Sequence, residues 1–389
     1  MKDIDLVIKD LAKDSYQRED NYISVIHPDN LDITFELDIE TKGKQKLIDE
    51  KKLSQFLSVK YITGKFLIRK DYFEAVVDFT NLFDYYDDKS TTIEPNGVDY
   101  QNKCHYEIGE VSDEFGVFLN QTIHWDNFST EYYQSIKLYN LSKLISDDYK
   151  SDAFLDKTKD FLSAIFFQLI SKYDLRIRLL DLDDYDKFEP ELDEVDTSMI
   201  ESTIIEPNNY DMDLVNYYNS AIHMTDSSFK YLAFFQVIEC LFDEVYRDET
   251  IQDAKSVINS NWFNSQNSDD ILKLIKLIDK FSKEQNDRNK IRLVLEKYFK
   301  MNLHDEAYFL AYSDISDKLI ALKLIKDSSE IKDLQKVGSI IYDIRCEYTH
   351  SNRNFPKRNQ TQIDEKELIE HISLIKMFSR VIIENYRKR

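Results

Sequence analysis

The spacing of apolar residues changes character about halfway along the chain. Alternating runs at Tyr22 to Ile26, Ile33 to Ile39 and Lys65 to Ile68 predict strands, whereas Lys46 to Phe56, Tyr132 to Leu144 and Asp156 to Ile170 carry the three-and-four spacing of helices. The mixture predicts an α+β domain over residues 1–195, with a regulatory, sensing or recruiting role. It closes on Asp181 to Asp196, where nine acidic residues face the single Lys187 and Pro190 interrupts the run. Such a segment reads as a solvated linker or a poorly packed strand edge.

From about residue 205 the pattern is almost continuously helical, with no Gly before Gly338 and no Pro between Pro207 and Pro356. This predicts an all-helical bundle over residues 205–389. Asp226, followed by Ser-Ser-Phe, is an N-cap candidate for a helix reaching about Tyr246. Amphipathic segments follow near 270–283, 288–300 and 314–325. Ser328 or Ser329 then opens a helix in which Leu334, Val337, Ile341, Ile344 and Tyr348 form one apolar seam. A last helix is expected from near Asp364 to Tyr386.

Composition narrows the function. With 389 residues, 42% of them hydrophobic, the chain can bury two cores and should fold. Its six glycines include no pair at a nucleotide-binding spacing, which argues against a Rossmann site or a P-loop. Cys104, Cys240 and Cys346 are scattered and odd in number, so they suggest neither a disulfide framework nor a zinc site, and a reducing cytoplasm is the expected compartment. No export signal or membrane span is read, and no membrane partner is expected. The net charge of −22 repels nucleic acid over most of the surface, so any phosphate site has to be local.

One such place exists. Residues 345–360 hold Arg345, Arg353, Lys357 and Arg358 against Glu347 alone, a balance of +3, while the remaining 373 residues carry 47 basic and 72 acidic side chains, a balance of −25. Within this island Arg345 and His350 supply a guanidinium that can neutralise a transition-state phosphate and an imidazole that can move protons near neutral pH. RNA cleavage needs no metal with that pair. Five helical residues turn through about 500°, leaving the two side chains roughly 140° apart, so a two-fold dimer is the natural way to gather them in one cleft. A bare Arg-x(4 to 6)-His pattern arises by chance roughly 0.7 times in a chain of this composition, and an Arg paired with Glu beside a His capping a carbonyl is the ordinary alternative.

The residues Tyr342-Asp343-Ile344-Arg345-Cys346-Glu347-Tyr348-Thr349-His350-Ser351 resemble the signature of HEPN ribonuclease domains, most closely the ApeA-like and abortive-infection-like branches. Phe229 to Glu239 resembles that branch's early helix, an aromatic run leading into a Glu. The resemblance covers about residues 205–389, the C-terminal half only. It implies a homodimer that cleaves RNA without metal or other cofactor, leaving a 2′,3′-cyclic phosphate and a 5′-hydroxyl. By it His350 would activate the 2′-hydroxyl or protonate the leaving oxygen, and Arg345 would bind the scissile phosphate. Glu239, Cys346 and Tyr342 would support them, with Arg353, Lys357 and Arg358 as RNA-phosphate contacts. Cys346 departs from the family pattern, in which Asn, Asp or His often follows the Arg. The implied biology is a toxin-like effector of anti-phage defence by abortive infection, for which a neutralising or activating protein partner is expected.

Two other readings stand beside this one. Some members of the superfamily bind nucleotides or partners without cutting, so a non-catalytic dimerisation and binding module is the first alternative. Pro28-Asp29 with Glu40-Thr41-Lys42 fits the loose PD-(D/E)xK pattern of metal-dependent nucleases, although roughly seven (D/E)xK triplets arise by chance here. His105-Tyr106-Glu107 lacks the Pro-Cys-x-x-Cys of a zinc deaminase and reads as a strand. The run Asp181, Asp183, Asp184 and Asp186 lacks the Gly of a calcium loop. Trp125 and Trp262 are expected to be packing residues.

Overall fold

The computed structural model describes residues 16–18, 22–27, 30–38, 40–42, 45–47, 50–62, 65–79, 104–122, 134–180, 210–283, 286–299, 306–349 and 365–386. It is mostly helical, and the chain divides into two compact units, Met1–Glu206 and Pro207–Arg389.

The first unit is α+β. Strands β1 (Tyr16–Arg18), β2 (Tyr22–His27) and β3 (Asn30–Asp38) make an antiparallel sheet, and β4 (Glu40–Lys42) pairs with β5 (Gln45–Leu47). Helix α1 (Glu50–Ser58) leads into the main antiparallel sheet. There the order is β6 (Lys60–Ile62), β7 (Phe66–Arg69), β8 (Tyr72–Phe79), β10 (Gln134–Tyr139) and β9 (His105–Glu110), and β11 (Ile177–Leu179) pairs with the far end of β8. Helices α2 (Asp113–Thr122) and α3 (Asp152–Tyr173) complete it. Ser151 caps α3 by accepting from the Phe154 amide at 3.2 Å.

Two helical expectations fail in this unit. Residues 132–144 were expected to be helical, but 134–139 form β10 and Leu141–Lys143 a single 3-10 turn. The cause is tertiary: Ile136 sits opposite Ala75 on one side and Ile108 on the other, Leu138 opposite Phe73 and Tyr106, and all six are buried. The helix expected from Lys46 starts instead at Glu50, since residues 45–47 pair as β5. Glu74 of β8 is fully buried and accepts from the Tyr72 hydroxyl at 2.6 Å, the Ser112 amide at 2.8 Å and the Ser135 hydroxyl at 2.7 Å. Those bonds offset the loss of water around the carboxylate and tie the sheet to the start of α2.

The second unit is helical: α4 (Met212–Ile222), α5 (Ser227–Glu239), α6 (Phe242–Ile258), α7 (Ser268–Lys283), α8 (Asp287–Tyr298), α9 (Glu306–Ala321), α10 (Leu334–Thr349) and α11 (Glu365–Asn385). Its centre is α5, which packs on α4, α10 and α11 and buries Tyr231, Phe234, Phe235, Val237 and Ile238. Asp226 caps α5 as expected, accepting from the Phe229 amide at 2.9 Å. The helix stops at Glu239, however, and does not reach Tyr246. At Cys240-Leu241 the chain turns so that Leu241, Phe242 and Val245 continue the core, with Phe242 edge-on to Phe235 at 6.2 Å.

The seam helix also begins differently. Asp327 caps a 3-10 turn over Ser328–Lys332, and Asp333 then accepts from the Lys336 amide at 3.1 Å to open α10 at Leu334. Val337, Ile341 and Ile344 are buried along it. Gly338 lets α10 lie directly against α8: a Cβ there would stand 3.3 Å from the Arg292 amide nitrogen and 3.4 Å from Ile291 Cγ2. Across the bundle, Glu244 of α6 accepts from Lys297 and Tyr298 of α8, at 2.8 and 2.7 Å, and from Tyr386 beyond α11 at 2.8 Å. No helix among the described residues is long and apolar enough to cross a membrane.

Candidate functional site

The site is built where the ends of α5 and α10 come together. Along α10 the apolar stripe of Val337, Ile341 and Ile344 faces the core, which leaves Tyr342, Arg345 and Cys346 on the adjoining face one helical turn apart. On α5 the stripe that buries Phe235 carries Glu239 four residues later at the helix end. The Tyr231 hydroxyl donates to the Ile341 carbonyl at 3.3 Å, so the two helices are held in register deep in the bundle.

Arg345 meets α5 in two ways. Its guanidinium carbon lies 5.4 Å from the Phe235 ring centre, and its Nη2 stands 3.4 Å from Glu239 Oε1. The side chain retains 21% of its exposure, against 45% for Glu239, so Arg345 is largely covered and keeps part of its surface accessible. Cys346 is buried and hydrogen-bonds the Tyr342 side chain. That hydrogen bond, then burial, pushes the Tyr342 hydroxyl above the usual tyrosine range, and the nearby Arg345 charge works against the rise.

A second arginine reaches the same face from α8. Arg288 Nη2 lies 2.5 Å from Asp343 Oδ1, and its guanidinium carbon lies 4.9 Å from the Tyr342 ring centre. Arg288 lies outside the residues that the sequence pattern singles out. The available signal was the run Arg288-Asn289-Lys290-Ile291-Arg292, three cations in five residues of a strongly acidic chain. Asp343 and Phe235 were within the quoted motifs but had no assigned part.

The structure thus brings Glu239, Tyr342, Arg345 and Cys346 together. His350, Arg353, Lys357 and Arg358 lie outside the described residues, as do Pro28, Asp29, Trp125 and the acidic run Asp181 to Asp196. The Glu40-Thr41-Lys42 triplet falls in β4. His105-Tyr106-Glu107 lies in β9, where the His105 ring stacks on Tyr139 at 4.8 Å and Glu107 accepts from Lys137 at 2.8 Å and from the Tyr139 hydroxyl at 3.0 Å. Burial pushes the Cys104 thiol up to about 12, which keeps it protonated and unreactive. Trp262 is not a core packing residue: it is 55% exposed, with Lys273 of α7 at 5.3 Å from its ring and Phe263 edge-on at 6.4 Å. Among the described residues no group of three or more His, Cys, Asp or Glu is placed to hold a metal ion.

No protein-family model, curated protein or solved structure matches this chain.

Proposed function

We propose that the C-terminal unit is a metal-independent endoribonuclease of the HEPN type, acting as a homodimer, and that the whole chain is a toxin-like effector of anti-phage abortive infection. The observation that carries the reading is the setting of Arg345. It stands near the end of a helix whose adjoining face is buried, braced by Phe235 and Glu239 and still partly exposed, and His350 follows five residues later in the sequence.

In the proposed reaction the 2′-oxygen of one nucleotide attacks the adjacent phosphorus and the 5′-oxygen of the next nucleotide departs. His350 takes the 2′-hydroxyl proton, and the partner subunit's His350 donates a proton to the leaving oxygen. Arg345 neutralises the charge that grows on the non-bridging oxygens. The products are a 2′,3′-cyclic phosphate and a 5′-hydroxyl, with no net proton consumed.

The chemistry is tested by product ends. Labelled RNA incubated with the protein in EDTA is expected to yield fragments bearing 2′,3′-cyclic phosphates, and a substrate with a single 2′-deoxy position should resist cleavage there. Fragments with 5′-phosphates and 3′-hydroxyls, or activity abolished by EDTA, would instead select the metal-dependent nuclease reading.

A further inference from the structure

We propose that Arg288 is a second phosphate-binding group of the same site, so that an RNA backbone is held by two arginines presented around Tyr342. The inference rests on the ribonuclease reading above and extends it to a residue outside the resemblance.

Arg288 and Arg345 are built alike. Each guanidinium lies against an aromatic ring, at 4.9 Å from Tyr342 and 5.4 Å from Phe235, and each touches one carboxylate, Asp343 at 2.5 Å and Glu239 at 3.4 Å. Both carboxylates are largely exposed, at 62% for Asp343 and 45% for Glu239. Exposed ion pairs add little to stability, so an incoming phosphate can replace the carboxylate while the ring keeps the guanidinium in place. Arg288 itself is 47% exposed and reachable.

The neighbouring cations are placed differently. Lys290 lies over the Phe242 and Tyr246 rings of α6, at 5.8 and 5.9 Å, and pairs with Asp243 at 3.8 Å, but its side chain is only 12% exposed. Arg292 bonds Glu296 at 2.5 Å and Asn289 at 2.9 Å, within α8. Arg288 is tied to α10 through Asp343 and lies over Tyr342, one turn before Arg345. A strongly acidic protein gains phosphate affinity only where cations cluster, and two arginines bracketing one tyrosine meet that need for successive phosphates of a single strand.

The test uses His350→Ala protein, so that binding can be followed without cleavage. Its affinity for a labelled single-stranded RNA is measured by anisotropy over a range of salt concentrations, alone and combined with Arg288→Ala or Asp343→Ala. Adding Arg288→Ala is expected to weaken binding several-fold and to reduce the steepness of the log affinity against log salt plot by roughly 0.7. Asp343→Ala removes the same ion pair yet leaves the cation, so it should keep or strengthen binding. Unchanged affinity and slope with Arg288→Ala overturns the inference, and so does equal weakening by both substitutions, which would mean the ion pair only supports the fold. Absence of RNA binding by the His350→Ala parent also overturns it. Cleavage by the wild-type protein in EDTA, scored separately, tells that failure apart from failure of the ribonuclease reading.

Discussion

Arg345 and Glu239 face each other across the ends of α10 and α5 at 3.4 Å, a separation at the long limit of a hydrogen bond. The pair is too exposed and too long to hold the helices together, so its consequence is positional. Glu239→Gln should change unfolding free energy by less than about 1 kcal/mol, the range of exposed ion pairs. It should nevertheless alter the RNA cleavage rate several-fold, because the guanidinium loses the carboxylate that helps to place it. Urea titrations beside initial rates check both parts, and a large stability loss with unchanged rate would make Glu239 a structural residue.

Phe235 offers the complementary cut. Its ring is 2% exposed and serves both the core and the Arg345 guanidinium. Phe235→Ala should cost about 3–5 kcal/mol through loss of core volume. Phe235→Leu keeps most of that volume and removes the ring face, so its principal effect should be on cleavage. Denaturation midpoints and rates for the two variants separate the roles.

Gly338 sets how closely α10 approaches α8. A Cβ would already meet the Arg292 amide nitrogen at 3.3 Å, so a larger side chain has to push the helix carrying Arg345 outward. Gly338→Leu is expected to destabilise the protein by about 1–3 kcal/mol, more than the helix-propensity gain of about 1 kcal/mol can offset. A thermal melt at or above the wild-type midpoint would show that the contact has room.

What could be read from the chain follows from how local each signal is. Asp226 announces α5 because a cap is a contact between neighbours in sequence, and the Val337, Ile341, Ile344 stripe is a property of one helix. The Cys240-Leu241 turn is not local in its cause: beyond it α6 packs on α8, where Lys297, 53 residues further along the chain, reaches Glu244 at 2.8 Å. The same holds for β10, whose residues carry a helical spacing but are flanked by β8 and β9. In the candidate site, Arg345 stood out because of its spacing from His350 and its basic surroundings. Arg288 stayed hidden because 55 residues separate it from Asp343, and no spacing rule joins them.

Acid should weaken the helical unit in two separable steps. Burial holds the His371 imidazole below its ordinary range, against the pull of Glu367 and Glu370, so the folded form resists a proton that the unfolded chain accepts near pH 6.5. That contribution is present above about pH 6.5 and fades as the pH falls below it. Burial pushes the Glu244 carboxyl up, but the hydrogen bonds from Lys297, Tyr298 and Tyr386 and the Lys297 charge outweigh it and leave the group at about 2. Its contribution is present above the unfolded value, about 4.3, and is lost as the pH falls toward 2. Thermal melts between pH 8 and pH 3 should show His371→Gln flattening the first decline and Glu244→Gln the second. A Glu244→Gln protein with the wild-type acid profile would remove the network from this account.

In the proposed ribonuclease, one guanidinium and one imidazole per subunit cut RNA. The direct measurement is cleavage of a defined RNA in EDTA by wild-type, Arg345→Ala and His350→Ala proteins, each verified as folded and dimeric by circular dichroism and light scattering. The wild type is expected to cleave and both variants to fall by at least about 100-fold, the scale of losing a general acid–base or a transition-state charge partner. Undiminished cleavage by both folded variants would contradict it.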